Sequence, residues 1–173
     1  MELEPRRGTI YDTNLKPQAV NLACDSVYAA PKEISETDKT VITRELSRIL
    51  NLDSDFLKGR LSRPKSFIWL ARKISSQQSE AIRALNLKGI SFIKESKRCY
   101  PNGYLTSQSI GFAGLDNKGQ EGLELYYDQY LKGSPGWALL LRDARSKKIN
   151  LNEKMARPQE GDSLVLTIDE VVQ

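Results

Sequence analysis

The sequence predicts an α+β chain with two lobes, and three observations carry that reading. Strand-like runs stand near both ends, at 6–12 and 163–169. Between residues 32 and 98 helical and strand-like patterns alternate. From Arg98 to Gly133 the chain is dense in turn residues, with six of its eleven glycines in that stretch. Terminal strands flanking a self-contained mixed segment point to antiparallel strands carrying an insertion. The expected division is 1–31 with 99–173 as one lobe and 32–98 as the other.

In chain order, Arg6 to Asp12 reads as a short strand and Asp12 to Pro17 as a turn. Ala19 to Tyr28 returns as a second strand, which makes a hairpin. Ser35 and Thr37 stand in capping positions before Val41, Ile42, Leu46, Ile49 and Leu50, which recur at helical spacing. Asp53 or Ser54 caps a shorter helix through Lys58. Phe67 to Ala71 is a compact apolar strand. Ser75 or Ser76 caps a helix through Leu85 that turns Ala81, Ile82 and Leu85 inward, and Ile90 to Arg98 is a strand.

Tyr100-Pro101-Asn102-Gly103 is turn chemistry, because proline presets φ and glycine accepts a positive one. Gly111 and Gly114 bracket Phe112, which predicts close backbone approach. Gln120 to Leu131 reads as one helix with Leu123, Tyr126, Tyr127 and Tyr130 on a shared face, stopped by Gly133 and Pro135. Trp137 to Arg142 and Lys147 to Lys154 form a plausible hairpin. Ser163 to Asp169 is a strand, and 170–173 begins a helix that the chain end cuts off.

Bulk properties narrow the function classes. The chain is 39% hydrophobic and 28% charged, which is ordinary for a globular domain. Its 26 basic and 22 acidic residues leave +4, with the basic residues scattered. That pattern suits a solvated surface and gives no sign of nucleic-acid binding. No run of 18 apolar residues spans a membrane, and the opening Met-Glu-Leu-Glu-Pro is not a signal peptide. With no histidine, Cys24 and Cys99 cannot build a usual zinc site, and no metal or cofactor is expected. Two separate buried thiols, or one disulfide in an oxidising compartment, both remain open.

The turn-dense stretch carries a specific resemblance. Arg98, Tyr100, Pro101 and Gly103, then Ile110, Gly111, Phe112 and Gly114, then Gly119, Gly122, Leu123, Glu124, Tyr127, Leu131 and Gly133 resemble the second and third motifs of the non-catalytic N-terminal module of class B penicillin-binding proteins. Arg7, Gly8, Ile10, Asp12 and Asn14, with Val27, Tyr28, Ala29 and Pro31, resemble its first motif. Thr13 stands where the family usually has Arg and Leu15 where it usually has Gly, so the expected turn type is open there. Gln108 lies near the place of a frequent histidine.

The resemblance implies an elongated two-lobed pedestal with an inserted α+β head subdomain at 32–98. It implies an extracytoplasmic site, an upstream membrane anchor and a downstream D,D-transpeptidase domain, both absent here. It implies docking to a SEDS-type glycan polymerase in peptidoglycan synthesis, and a possible homodimer. Because the family's first and second motifs pack together, it also implies that Cys24 and Cys99 come within disulfide range. The competing reading is a free-standing module for an anionic wall polymer, using Arg6, Arg7, Lys94, Lys97 and Arg98.

Catalysis by this chain is not expected. No S-x-N and no K-T-G occurs. Ser91 and Lys94 fall on a predicted strand, where positions i and i+3 face opposite ways, and Ser62 to Lys65 contains Pro64. The acidic residues Asp116, Glu121, Glu124 and Asp128 suggest a solvated helix start rather than a metal site, and Trp69 and Trp137 are read as core or rim. The motifs nonetheless hold more charge than a plain core tolerates: Arg7, Asp12, Arg98, Glu121 and Glu124. A buried charge needs a partner, so Glu124, placed inward beside Leu123 and Tyr127, is expected to pair with Arg7 or Arg98.

Overall fold

The computed structural model describes residues 2–103, 109–138, 141–142, 148–149 and 155–169. The fold is α+β, as expected. Two compact units emerge, 1–22 with 96–173 and 23–95, and two long strands run from one to the other.

The unit formed by 23–95 has a helical layer over strands. Helix α1 (Glu36–Leu50) starts where the Ser35 side chain accepts from the Asp38 N–H. It ends at Asn51, which takes the left-handed conformation common at helix ends. Helix α2 (Ser54–Leu61) is capped by Asp53, and α3 (Ser76–Ala84) by a reciprocal Ser75–Gln78 capping box. Strand β3 (Pro17–Ala29) enters this unit and pairs antiparallel with β4 (Ile68–Ile74), Tyr28 opposite Trp69. Strand β5 (Ile90–Cys99) also pairs with β3. Val27, Ile42, Leu46, Leu57, Leu61, Leu70 and Ile82 fill the core. Ala81 and Leu85, both expected inside, are exposed, as is Val41; one narrow stripe of each helix suffices for this small core.

Trp69 is no open platform. It packs edge-on to Phe67 and Tyr28, and the Arg72 guanidinium stands 5.6 Å from its ring centroid. The expected Cys24–Cys99 disulfide is not formed. The Cys24 thiol lies 3.5 Å from the Glu95 carbonyl oxygen. Cys99 is four strand residues further on, about 13 Å at the usual rise.

In the other unit, β2 (Ile10–Tyr11) pairs antiparallel with the start of β3, and β10 (Leu164–Val165) runs parallel to β2. A second small sheet joins β1 (Glu2–Leu3), β6 (Gly136–Ala138) and β9 (Met155–Ala156). Strands β7 (Leu141–Arg142) and β8 (Lys148–Ile149) pair with each other. Much of the hairpin expected over 137–154, and the helix expected at 170–173, lie outside the described residues. Ile10, Ala19, Ile110 and Leu131 are the buried apolar centre. The helix expected over 120–131 is two short pieces, α4 (Gly122–Tyr126) and α5 (Asp128–Leu131), broken at Tyr127.

Candidate functional site

The site grows from one carboxylate. Glu124, on α4, is fully buried. An isolated carboxylate cannot be held in such a place, so its oxygens must be met by donors. Arg7 Nε donates to Oε2 at 2.6 Å, and Arg98 Nε donates to Oε1 at 2.7 Å. Tyr100 Oη donates to Oε1 at 3.3 Å and accepts from the Ala113 N–H at 2.7 Å. The expectation of one arginine partner is thus met by both.

Each guanidinium is used further. Arg7 Nη2 donates to the Glu124 carbonyl at 2.8 Å, and Nη1 to Asp128 Oδ1 at 2.6 Å and the Asn117 carbonyl at 2.9 Å. Arg98 Nη1 donates to the Gly8 carbonyl at 2.7 Å and Asn21 Oδ1 at 3.2 Å, while its buried Nη2 has no hydrogen-bond partner. Two cations face two anions, Glu124 and Asp128. The network therefore closes neutral across four places in sequence: the strand-like entry, the end of β5, the 117–119 loop and the α4–α5 turn.

The local electrostatics agree. Burial and the neighbouring Glu124 charge push the Tyr100 phenol from its ordinary 10.0 to about 12. Burial would raise the Asp128 carboxyl, but the Gly119 N–H and Arg7 outweigh it and hold it below its usual value. Asp128 was not foreseen as a partner; it lies one helical turn beyond Glu124, a spacing that could have revealed it.

The backbone makes room for this. Gly111 and Gly122 both have positive φ, +70° and +59°. A Cβ on Gly122 would stand 2.7 Å from the Gly111 nitrogen, so neither position accepts a side chain without backbone movement. Gly119 N–H donates to Asp128 Oδ1 at 2.8 Å.

Other foreseen residues lie outside the network. Asp12 is buried, but its Oδ1 accepts from the Asn14 and Lys16 N–H groups of its own loop. Glu121 is exposed and makes no side-chain cap at the start of α4. Ile10 is core, and Leu123 is half-buried. Pro101 and Gly103 are exposed, with open space where a Gly103 side chain would stand. At Gly114 the close neighbour is a side chain rather than backbone: a Cβ there would lie a tight 3.3 Å from Gln120. Ser62 donates its hydroxyl to the Lys58 carbonyl at 2.6 Å, and Lys94 Nζ stands 2.9 Å from Asp25 Oδ1. Arg7 and Arg98 are 2% and 7% exposed, so the five cations proposed for an anionic polymer do not form one accessible surface.

Three separated motifs thus converge on one buried charge cluster. The family model for the penicillin-binding protein dimerisation domain matches residues 2–166. The chain belongs to that family. Among curated members of the wider group, the probable peptidoglycan D,D-transpeptidase PenA of Neisseria gonorrhoeae is 34% identical over 174 residues. That match covers 99% of this chain and 30% of the relative. Stage V sporulation protein D of Bacillus subtilis is 34% identical over 177 residues, 100% of this chain and 27% of the relative. The dimerisation-domain fold is also that of a chain in the solved complex between the penicillin-binding protein PBP2 and MreC from Helicobacter pylori, with a TM-score of 0.77 at 22% identity. That likeness covers 99% of this chain and 36% of the other. This dimerisation domain therefore spans about a third of the length of the proteins it matches.

Proposed function

We propose that this chain is the non-catalytic pedestal of a class B penicillin-binding protein. It holds a D,D-transpeptidase domain at a fixed height outside the cell membrane and docks against a SEDS-type glycan polymerase, so that strand synthesis and crosslinking proceed together. Residues 99–173 with 1–31 form its base and 32–98 its head. Its contribution is positioning, which in a two-substrate reaction is a large part of the barrier.

The observation that carries this reading is the Arg7–Glu124–Arg98 cluster. Its carboxylate is enclosed by donors and has no oxygen left for a substrate, yet it ties four distant segments into one body. That suits a strut. The PBP2–MreC complex supports a protein partner for this kind of domain.

Replacing this segment of the parent protein with an unrelated folded spacer tests it. Acylation of the parent by a fluorescent penicillin should persist, while copurification with the glycan polymerase is lost. Retained copurification would contradict docking. Labelling of the isolated chain by the same penicillin would contradict the non-catalytic role.

A further inference from the structure

In the 23–95 unit, α1 and α2 enclose a groove of about 500 Å³, within the roughly 300–1,000 Å³ usual for ligand sites. The motifs of the buried cluster do not reach it. Its chemistry is polar and sorted by position. Thr43, Ser47 and Ser62 contribute hydroxyls, and each spends its hydrogen on a helix or loop carbonyl: Lys39, Leu52 and Lys58 in turn. Their oxygens are thereby left to accept, not donate, and that of Ser47 already accepts from the Ser54 hydroxyl at 3.2 Å. Arg44, Arg48 and Lys58 supply cations on the lining, beside Lys39, which pairs with Glu36 at 2.6 Å, and the carboxylate of Asp55, so cations outnumber carboxylates there. Among the described residues the exposed Arg44 and Arg48 share only the half-buried Glu45 as an ion-pair partner, and Lys58 has none. Surface pairs of that kind contribute little and exchange readily.

We propose that this groove binds an acidic peptide segment of a partner protein. Hydroxyl oxygens match backbone N–H donors, and the Arg44, Arg48 and Lys58 cations match side-chain carboxylates. A polyphosphate offers charge but no N–H groups, and would leave those hydroxyl oxygens unmatched. The inference does not depend on the pedestal reading: it concerns a different unit and different residues.

The test uses the full chain and a fluorescein-labelled decapeptide of alternating Asp and Ser, followed by anisotropy. Saturable binding should weaken at least about tenfold in the double variant Arg44→Glu/Lys58→Glu and fall steeply with added salt. The matched charge change Arg6→Glu/Lys97→Glu, elsewhere on the chain, should leave it unaltered. Circular dichroism melting of both variants reports folding, and Ser62→Ala provides a milder second probe that should also weaken binding. No saturable binding, equal loss in the two double variants, or tighter binding of a polyphosphate of equal charge would overturn the proposal.

Discussion

Leu15 sits at φ +60° and is 65% exposed at the tip of the hairpin between β2 and β3. Its N–H donates to the Asp12 carbonyl at 3.1 Å, and Asp12 Oδ1 braces the loop from the other side. The turn that glycine would make is therefore present, built with leucine. A left-handed conformation costs a residue with a Cβ about 1–2 kcal/mol. Part of that is offset because glycine loses more freedom on folding. Leu15→Gly should accordingly stabilise the chain by about 0.5–1 kcal/mol. Urea unfolding monitored by tryptophan fluorescence checks it. An unchanged or lower midpoint would mean that the leucine makes a compensating contact.

At the scale of elements, the Tyr100 turn couples two loops. Its hydroxyl accepts from Ala113 in the 110–114 loop and donates to Glu124 on α4. The phenol is raised from 10.0 to about 12 by burial and by Glu124. A raised folded-state value for a group that is neutral when protonated gives stability that is complete below pH 10 and lost as the pH rises through about 12. Tyr100→Phe should lose that dependence, so its unfolding midpoint should fall less steeply than the wild type's between those two values. Parallel curves for the two proteins would show that the hydroxyl is not coupled to the cluster.

The same elements show what a sequence can and cannot reveal. The capped starts of α1, α2 and α3 were legible, because Ser35, Asp53 and Ser75 each bond an orphan N–H locally. Glu124 was legible too, since a carboxylate beside Leu123 and Tyr127 in a glycine-dense run asks for a cation. The break at Tyr127 was not. Its tyrosine spacing imitates a continuous helix, yet Tyr126 and Tyr130 are 76% and 55% exposed while Leu131 is buried. Register was equally hidden: that Cys24 meets Glu95 rather than Cys99 depends on how β3 slides against β5, which no local pattern encodes.

At the scale of the whole molecule, the three motifs build a buried, neutral joint around Glu124. Glu121, a charged member of the same motifs, serves as the control, since it is exposed and does not enter the joint. Removing one partner of a buried ion pair leaves the rest uncompensated and typically costs about 3–5 kcal/mol. For a chain of this size that corresponds to roughly 6–20 °C in melting temperature. The direct measurement is thermal unfolding of the isolated chain carrying Glu124→Ala, beside Glu121→Ala. The joint predicts a drop of that size for Glu124→Ala and, for exposed Glu121, a change within about 0.5 kcal/mol. If Glu124→Ala melts like the wild type, the charges are not holding the domain together, and the motifs must be explained by the surface they offer to a partner.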